Sequence, residues 1–285
     1  MIQEKKGVNM AKVVLITGAT SGMGLEASIL LALNGYTVYA GSRGNESELL
    51  EKAKEKGVQV NIVPLDVTQT QSIQQAVKSV IEKEGKIDVL VNNAGFGLLA
   101  TLEEGTDEEM FKQFDVNVFG LIKTTREVIP YMRKAKSGVI INISSFLGKM
   151  GLPLLSHYNA SKYAVEGITD SLRFEVTPFN IRVHSVLAGL FGTNFVKKGL
   201  VANSKTTSDT SPYKELVAHF VPIVGAAINE GPSPMPIAQA IKDIIENENS
   251  EIAVKVGTEA ETFVPLRKAL SDKDFEEKIK VTFGV

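Results

Sequence analysis

The stretch K-V-V-L-I-T-G-A-T-S-G-M-G, from Lys12 to Gly24, contains the pattern that decides the fold. It begins with a short apolar run, typical of a strand that is covered on both faces. A turn with three glycines follows, and a helical pattern begins at Leu25. Glycines permit a tight turn and a close approach of the backbone to a phosphate, and a helix N-terminus favours an anion. The stretch therefore predicts a phosphate-binding turn, with glycines that serve only the turn as the alternative.

The rest of the chain repeats this alternation of apolar runs and helical patterns. We predict strands over residues 12–17, 36–41, 58–65, 86–92, 137–144, 180–186 and 252–256. We predict helices over residues 25–34, 46–56, 69–84, 106–134, 158–176 and 237–247, with two short helices in the tail. Strands that alternate with helices of this length pair in parallel through crossovers. The predicted fold is α/β, a doubly wound parallel sheet of about seven strands with helices on both faces and ligands beyond the strands' carboxyl ends.

The sequence predicts one domain, with an N-terminal extension and a later segment that both depart from the strand–helix alternation. Residues 1–10 lack the apolar core of a signal peptide, so we expect a flexible extension before a single domain over residues 11–285 and a cytoplasmic protein. After Thr193 the strand–helix rhythm breaks. Residues 196–236 combine two polar or proline-rich loops with the apolar patch Y-K-E-L-V-A-H-F-V-P-I-V. We interpret this segment as an insertion over the substrate site, the alternative being a surface excursion without functional consequence.

Composition excludes several classes of function. The 285 residues carry a formal net charge of -2 without a long basic block, so no nucleic-acid partner is expected. The absence of cysteine excludes disulfides and cysteine-ligated metal. The three histidines (His157, His184 and His219) show no metal-ligand spacing, so no metal site is expected. No stretch reaches the roughly 18 apolar residues that a membrane span needs.

A second motif, Y-N-A-S-K, places Tyr158 and Lys162 four residues apart at the start of a predicted helix. Residues with this spacing share a helix face, so the two side chains can meet. An ammonium beside a phenol favours the phenolate and should lower the phenol's pKa from its reference value near 10. The pair therefore predicts an acid/base group, with an ordinary surface Tyr and Lys as the alternative.

Polar residues follow two of the predicted strands. Asp66, in L-D-V-T, could accept a hydrogen bond from an adenine amino group or cap the next helix. The stretch N-N-A-G runs from Asn92 to Gly95. Its small residues would let the chain pass close to a ligand, and its amides could tie neighbouring strands together. The sequence does not decide between the two roles of Asp66 or between the two roles of N-N-A-G.

Together these motifs resemble the short-chain dehydrogenase/reductase family. The matches are T-G-A-T-S-G-M-G, N-N-A-G, the asparagine of D-V-N-V-F-G, the serines of N-I-S-S-F, and Y-N-A-S-K, in the family's order over residues 11–195. The stretches G-K-M-G-L-P and A-S-K-Y-A-V-E-G resemble the branch containing 17β-hydroxysteroid and retinol dehydrogenases. The resemblance implies a Rossmann-type fold and an NAD(P)(H)-dependent oxidoreductase. It also implies a homodimer or homotetramer in which the helices over 106–134 and 156–176 pair across a two-fold axis.

The resemblance implies a catalytic set of Asn117, Ser145, Tyr158 and Lys162. Tyr158 would be the general acid in reduction and the base in oxidation. Lys162 would hold the ribose hydroxyls and lower the tyrosine's pKa, and Ser145 would hydrogen-bond the substrate's carbonyl oxygen. Asn117 would bind a water that links Lys162 to solvent, the alternative being a helix kink without proton traffic.

The resemblance also implies which residues bind the cofactor. The expected set is Gly18, Thr20, Ser21, Met23, Ser42, Arg43, Asp66, Val67, Asn93, Ala94, Gly95, Tyr158, Lys162, Gly189 and Thr193. The second strand ends Y-A-G-S-R-G, so Ser42 stands where an NAD enzyme usually has an acid, and the guanidinium of Arg43 could pair with a 2′-phosphate. We therefore expect a preference for NADP(H) over NAD(H), unless Arg43 is only a solvated loop charge.

The chain departs from the family's pattern at one position. Ala188 replaces the family's proline before Gly189, which frees a backbone dihedral and puts the order of this loop without cofactor in doubt.

The substrate is expected to be an apolar ketone, aldehyde or alcohol. Candidate lining residues are Phe96, Leu98, Leu147, Met150, Leu152, Leu155, Phe191 and Phe195, although each could equally be ordinary core. Two other functions compete: a non-catalytic NADP(H)-sensing protein on the same fold, and a lyase or epimerase of the extended relatives. An intact catalytic set argues against the sensor. The glycine spacing and the lack of a longer substrate domain argue against the lyase or epimerase.

Overall fold

A parallel sheet forms the centre of the molecule, in a computed structural model that describes residues 11–193 and 199–284. The strands are β1 (Val13–Ile16), β2 (Thr37–Ser42), β3 (Asn61–Pro64), β4 (Val89–Asn92), β5 (Gly97–Leu99), β6 (Gly138–Ser145), β7 (Ile181–Ala188), β8 (Leu200–Ala202) and β9 (Ala253–Val256). Over the described residues, seven strands pair in the order β3-β2-β1-β4-β6-β7-β9, and β5 pairs separately with β8. The strand order reverses between β1 and β4, so the crevice for a ligand is expected there.

Helices cover both faces of this sheet. They are α1 (Gly22–Leu33), α2 (Ser47–Glu55), α3 (Thr70–Glu84), α4 (Asp107–Phe114), α5 (Gly120–Ala135), α6 (Ser156–Val176), α7 (Lys214–Asn229), α8 (Met235–Glu246), α9 (Thr258–Ala269) and α10 (Asp272–Phe283). Alternate residues of β1 serve opposite faces: Val14 and Ile16 pack with α1, α2 and α8, whereas Val13 and Leu15 pack with α3, α5 and α6. The predicted doubly wound α/β fold is confirmed.

The helix predicted over residues 106–134 is interrupted in the structure. Thr106 caps α4 in a reciprocal capping box with Glu109. A π-helical turn, Asp115–Phe119, then separates α4 from α5. The extra residue in such a turn has no signature in the hydrophobic period, so the sequence did not predict it. The turn carries Asn117, one of the expected catalytic residues.

The segment after β7 covers the carboxyl ends of the strands. Gly97 of β5 pairs with Leu200 of β8, and α7 follows. Phe220 of α7 lies in a third core cluster with Phe263 of α9 and Phe283 of α10, and the rings of Phe220 and Phe283 are 6.3 Å apart. The extension expected at 1–10 and residues 196–198 of the expected insertion lie outside the described residues. In the described part of the chain, no helix is long and apolar enough to cross a membrane.

Candidate active site

The glycine turn after β1 is locked against the end of β4. A Cβ on Gly18 would lie 2.8 Å from the Cα of Ala94, and one on Gly24 would lie 2.5 Å from Nδ2 of Asn93. Asn93 Nδ2 donates to the carbonyl oxygens of Thr17 at 3.0 Å and Gly18 at 2.8 Å. Gly18 also has a φ of +61°, which an L side chain rarely adopts. Close packing therefore requires glycine at both positions, and at Gly18 the backbone conformation requires it as well.

The first turn of α1 is built to receive an anion. Its N-cap residue, Ser21, has an extended backbone and makes no side-chain capping bond, and no acidic residue lies in the first turn. The unpaired N–H groups of such a turn favour a phosphate. Thr193 approaches the same place, since a Cβ on Gly22 would lie 3.6 Å from its Cβ. The residues present fit the phosphates of a dinucleotide.

Of the two roles left open for N-N-A-G, the structure shows the amide ties between neighbouring strands, and the close approach to a ligand stays a prediction. Asn92 Nδ2 donates to Thr125 Oγ1 at 2.8 Å and to Asn142 Oδ1 at 2.9 Å, and Asn142 Nδ2 donates to Thr169 Oγ1 at 2.9 Å. This buried chain ties β4 and β6 to α5 and α6. The backbone at Ala94, two residues on, makes the close approach to the glycine turn.

Asp66 forms an Asx turn rather than the cap of α3. Its Oδ1 accepts from the N–H of Thr68 at 2.9 Å and from Thr68 Oγ1 at 2.8 Å, whereas the N-cap of α3 is Gln69. Asp66 and Val67 line the same cavity as the glycine turn. The structure therefore removes the capping alternative, and the contact of Asp66 with an adenine stays a prediction.

Tyr158, Lys162 and Ser145 converge at the floor of the cavity. Lys162 Nζ lies 5.6 Å from the centre of the Tyr158 ring and donates to the carbonyl oxygen of Ile143 at 2.9 Å. Ser145 is the last residue of β6, is hydrogen-bonded to Tyr158, and accepts from the N–H of Leu147 at 3.2 Å. One helix and one strand end thus bring a phenol, an ammonium and a hydroxyl together.

The pKa values at this site differ from the sequence-based expectation. Burial raises the pKa of Tyr158 to about 12, although its hydrogen bond with Ser145 acts in the opposite direction. Burial lowers the pKa of Lys162 to about 8, opposed by the negative charge of Glu166. The expected lowering of the phenol's pKa is not found for the protein groups by themselves, because desolvation outweighs the hydrogen bond with Ser145. Opposite shifts in a buried acid and base are typical of a reactive, low-dielectric site.

Asn117 is fully engaged through its side-chain amide. Its Nδ2 donates to the carbonyl oxygen of Phe96 at 2.9 Å and to Ser161 Oγ at 3.1 Å, and its Oδ1 accepts from the N–H of Phe96 at 3.0 Å. Both amide hydrogens are used, so a water on Asn117 would have to donate to one of its oxygens. The π turn shows that the helix is interrupted at Asn117, as the alternative of a helix kink expects. The water that would link Lys162 to solvent stays a prediction.

A cavity of about 850 Å³ joins the glycine turn to the catalytic residues and continues to α7. Its wall includes fourteen of the fifteen expected cofactor residues, namely Gly18, Thr20, Ser21, Met23, Arg43, Asp66, Val67, Asn93, Ala94, Gly95, Tyr158, Lys162, Gly189 and Thr193. The exception is Ser42, which is 4% exposed and does not reach the wall. Ser42 Oγ instead donates to Glu46 Oε1 and accepts from the N–H of Gly44, both at 3.0 Å. A carboxylate therefore lies near the end of β2, where the sequence argument assumed none.

The apolar wall was predicted only in part. Phe96, Leu147, Leu152, Leu155 and Phe191 line the cavity as expected, and Phe195 lies outside the described residues.

Leu98 and Met150 are core residues instead, each 1% exposed. Leu98 stands between Gly97 and Leu99, which do line the cavity, and successive strand residues point to opposite faces.

The sequence analysis did not name a second group of wall residues. They are Leu190, Leu200, Val201, Phe220, Val221, Val224 and Ile228. Three of them fall in the apolar patch that the sequence showed within the expected insertion, which was the signal available.

The segment that carries this wall is anchored by two carboxylates. Glu104, whose side chain is 1% exposed, accepts from Ser211 Oγ at 2.9 Å and from Thr101 Oγ1 at 3.4 Å. Glu109 accepts from Asn203 Nδ2 at 2.7 Å. Hydrogen bonds to a carboxylate are stronger than neutral ones, so they fix residues 203–211 against the loop before α4 and against the first turn of α4.

The loop after β7 is held without the family's proline. The N–H of Gly189 donates to the carbonyl oxygen of Val256 at 2.8 Å, and the N–H of Leu190 donates to Glu259 Oε2 at 2.8 Å. Ala188 itself is the last residue of β7 and pairs with Val256. These bonds tie residues 189 and 190 to β9 and α9, and the order of this loop without cofactor stays open.

The fold and this geometry define a nicotinamide-dinucleotide oxidoreductase of the classical α/β type, and the comparisons agree. The model of the family described as "short chain dehydrogenase" matches residues 12–202. The chain is 35% identical to a 3-ketodihydrosphingosine reductase of Bacteroides thetaiotaomicron over 275 residues, 96% of this chain and 98% of the relative. The protein belongs to the short-chain dehydrogenase family.

Solved structures give the same assignment. A short-chain dehydrogenase from Streptomyces avermitilis matches with a TM-score of 0.82 and 32% identity, over 96% of this chain and 99% of that chain. An actinorhodin polyketide ketoreductase with NADPH matches with a TM-score of 0.75 and 29% identity, over 88% of this chain and 98% of that chain. A 3-ketoacyl-(acyl-carrier-protein) reductase from Brucella melitensis, complexed with NADH, matches with a TM-score of 0.70 and 28% identity, over 86% and 96%. Both nicotinamide cofactors thus occur among similar proteins.

Proposed function

We propose that the protein is an NADP(H)-preferring reductase or dehydrogenase that interconverts an apolar carbonyl compound and its alcohol. The observation that carries the proposal is the convergence of Ser145, Tyr158 and Lys162 on a cavity that is continuous with the glycine turn. A cofactor-sensing protein would need the glycine turn but would have no use for this constellation.

Each residue of the set has a distinct part in the reaction. A bound nicotinamide dinucleotide would supply the hydride in reduction and accept it in oxidation. Tyr158 holds its proton over the working pH range, because its pKa is raised to about 12, and gives that proton to the carbonyl oxygen. Ser145 hydrogen-bonds the same oxygen and stabilises the developing charge. Lys162, while protonated, stabilises the phenolate that remains on Tyr158 and holds the ribose hydroxyls.

The cofactor preference rests on two opposing charges near the end of β2. Arg43 lines the cavity and is exposed, so its guanidinium can pair with a 2′-phosphate. Glu46 lies behind Ser42 and would repel the same phosphate. We give Arg43 the larger effect because it reaches the cavity wall, whereas Ser42 keeps the Glu46 carboxylate hydrogen-bonded away from it. The 2′-phosphate of NADP(H) therefore gains a partner that NAD(H) does not use.

The far end of the cavity supports the proposed substrate class. Phe220, Val221 and Val224 of α7 line this part of the cavity, together with residues of β8 and of the turn after β6. This surface suits a long or ring-bearing hydrocarbon part of a substrate. The name of the Bacteroides relative makes 3-ketodihydrosphingosine the first long-chain ketone to test.

An NADPH oxidation assay over apolar ketones, aldehydes and quinones tests this function. We expect turnover of at least one long-chain or cyclic ketone, and loss of that turnover in Tyr158→Phe with NADPH still bound. Tight NADPH binding without turnover of any compound would instead favour the cofactor-sensing protein.

We also propose a homodimer or homotetramer, built on the α4–α5 and α6 faces. Apolar side chains are exposed on both: Phe111 (63%) and Phe119 (46%) on the first, and Phe174 (80%) on the second. Large apolar side chains that are exposed on two helices in contact are the kind that an interface would cover. Light scattering of the purified protein should give a multiple of the 30.8 kDa chain mass, and Phe119→Glu should lower it.

A further inference from the structure

A buried carboxylate lies one helical turn beyond Lys162 and has no part in the chemistry described so far. Glu166 of α6 is 4% exposed. Its Oε2 pairs with Lys149 Nζ at 2.9 Å and accepts from Ser185 Oγ of β7 at 3.2 Å. Its Oε1 is buried without a hydrogen-bond partner among the described residues. A carboxylate in such a place costs folding free energy, so it needs an explanation.

The surroundings of Glu166 connect it to both catalytic elements. A Cβ on Gly148 would lie 3.0 Å from the Cγ of Glu166, the carbonyl oxygen of Lys162 and the Oγ of Ser144. The turn that follows Ser145 is therefore packed directly on the part of α6 that carries Lys162. Lys149, which pairs with Glu166, is the residue that ends this turn.

We propose that Glu166 is a positioning residue for the Tyr158–Lys162 pair. Its buried negative charge keeps the ammonium of Lys162 protonated, and its contact with Lys149 holds the turn after Ser145 against α6. The consequence for turnover rests on the function proposed above, whereas the effect on Lys162 itself does not.

The physical reason is the solvation of Lys162. Its ammonium is buried and donates to the carbonyl oxygen of Ile143, which is a neutral partner. Burial alone would deprotonate it, and the charge of Glu166 is the effect that opposes this and raises the pKa of Lys162. Without that charge a smaller fraction of Lys162 would be cationic at neutral pH, and the phenolate formed on Tyr158 would lose its stabilising partner.

The charged groups around Lys162 are few in the described residues. On α6 the charged group is Glu166, with the neutral phenol of Tyr158 nearby, and the turn after β6 adds Lys149. The neighbouring elements β6, β7 and the π turn contribute uncharged polar groups, namely Ser144, Ser145, Ser185 and Asn117. Glu166 and Lys149 therefore should move the protonation of Lys162 in opposite directions.

The direct test measures the pH dependence of chemical labelling of Lys162 by an amine-reactive reagent, read by mass spectrometry on the protein without substrate. In Glu166→Gln the labelling midpoint should fall by about one pH unit, the order expected for removing a charge one helical turn away. In Lys149→Met the midpoint should rise, because a like charge is removed. Glu166→Asp, which keeps the charge, should bring the midpoint back towards the native value.

The opposite signs separate this role from a structural one. Loss of the Lys149–Glu166 ion pair as a structural tie would affect both variants alike, so shifts in the same direction, or no shift in either, would overturn the proposal. If Glu166→Gln fails to fold, the direction of the shift in Lys149→Met still decides. In NADPH-dependent reduction the alkaline limb of the kcat profile should move with the labelling midpoint. Absence of turnover with correct labelling shifts would instead count against the proposed function alone.

Discussion

The two ends of the cavity are built in different ways. At the cofactor end, the backbone of the glycine turn packs on that of Ala94, and the amide of Asn93 bonds to the carbonyl oxygens of Thr17 and Gly18. At the substrate end, side chains of α7 and β8 form an apolar wall that is held in place by Glu104 and Glu109. The comparison shows why the first end is recognisable as a motif and the second is not. Backbone packing dictates residue type, whereas an apolar wall accepts many side chains.

The largest expected effect is at the point where the two ends meet. Tyr158→Phe should lower the rate of carbonyl reduction by about 10²–10⁴-fold, because a positioned acid contributes that much. Fluorescence titration should show that NADPH still binds. Tyr163→Phe is the matched control, an exposed phenol on the same helix, and should leave the rate unchanged. Retained turnover in pure Tyr158→Phe would remove this residue from the mechanism.

The next effect tests the packing of the cofactor end. In Gly24→Ala the new Cβ would lie 2.5 Å from Asn93 Nδ2 and 2.6 Å from the carbonyl oxygen of Gly18. Overpacking of this kind should weaken NADPH binding roughly 10- to 100-fold and lower the Tm. Gly167→Ala on α6 is the control, since its Cβ would meet nothing within 4 Å. Equal NADPH affinity in the two variants would refute the packing argument.

A smaller effect distinguishes the two nicotinamide cofactors. Arg43→Ala should weaken NADPH binding about tenfold and leave NADH binding unchanged, since only NADPH carries the 2′-phosphate. Glu46→Gln should act in the opposite direction and tighten NADPH binding by a few-fold, roughly what an exposed charge contributes. Lys54→Ala, an exposed charge on α2, serves as the control. Equal affinities for the two cofactors in the native protein would contradict the proposed preference.

The smallest effect belongs to the substrate end alone. Ser211→Ala removes one hydrogen-bond donor from the buried carboxylate of Glu104. The loss should destabilise the closed position of the apolar wall by about 1–3 kcal/mol. We expect the KM for an apolar ketone to rise severalfold, while the Kd for NADPH stays the same. The exposed Ser204 lies on the same segment, and Ser204→Ala should change neither. A parallel loss of NADPH affinity in Ser211→Ala would show that the two ends are not independent.

The features that the sequence predicted are set locally along the chain, whereas those it missed depend on distant contacts. The strands, helices and glycine turn were predictable because apolar period and glycine content act locally. The π turn at Asn117, the pairing of β5 with β8 and the inward position of Leu98 were not, because each depends on a partner far away in the chain. The pKa of Tyr158 belongs to the same group, since spacing shows that a cation is near but does not show how deeply both groups are buried.

The sequence by itself determined the doubly wound sheet and the glycine turn after β1. Each of these depends on residue types at fixed short spacings, which the chain shows directly. The tertiary structure alone decided which apolar side chains face the cavity, that Glu46 stands behind Ser42, and that Glu166 lies buried beside Lys162. These depend on desolvation and on contacts between distant segments, and both arise only when the chain is packed.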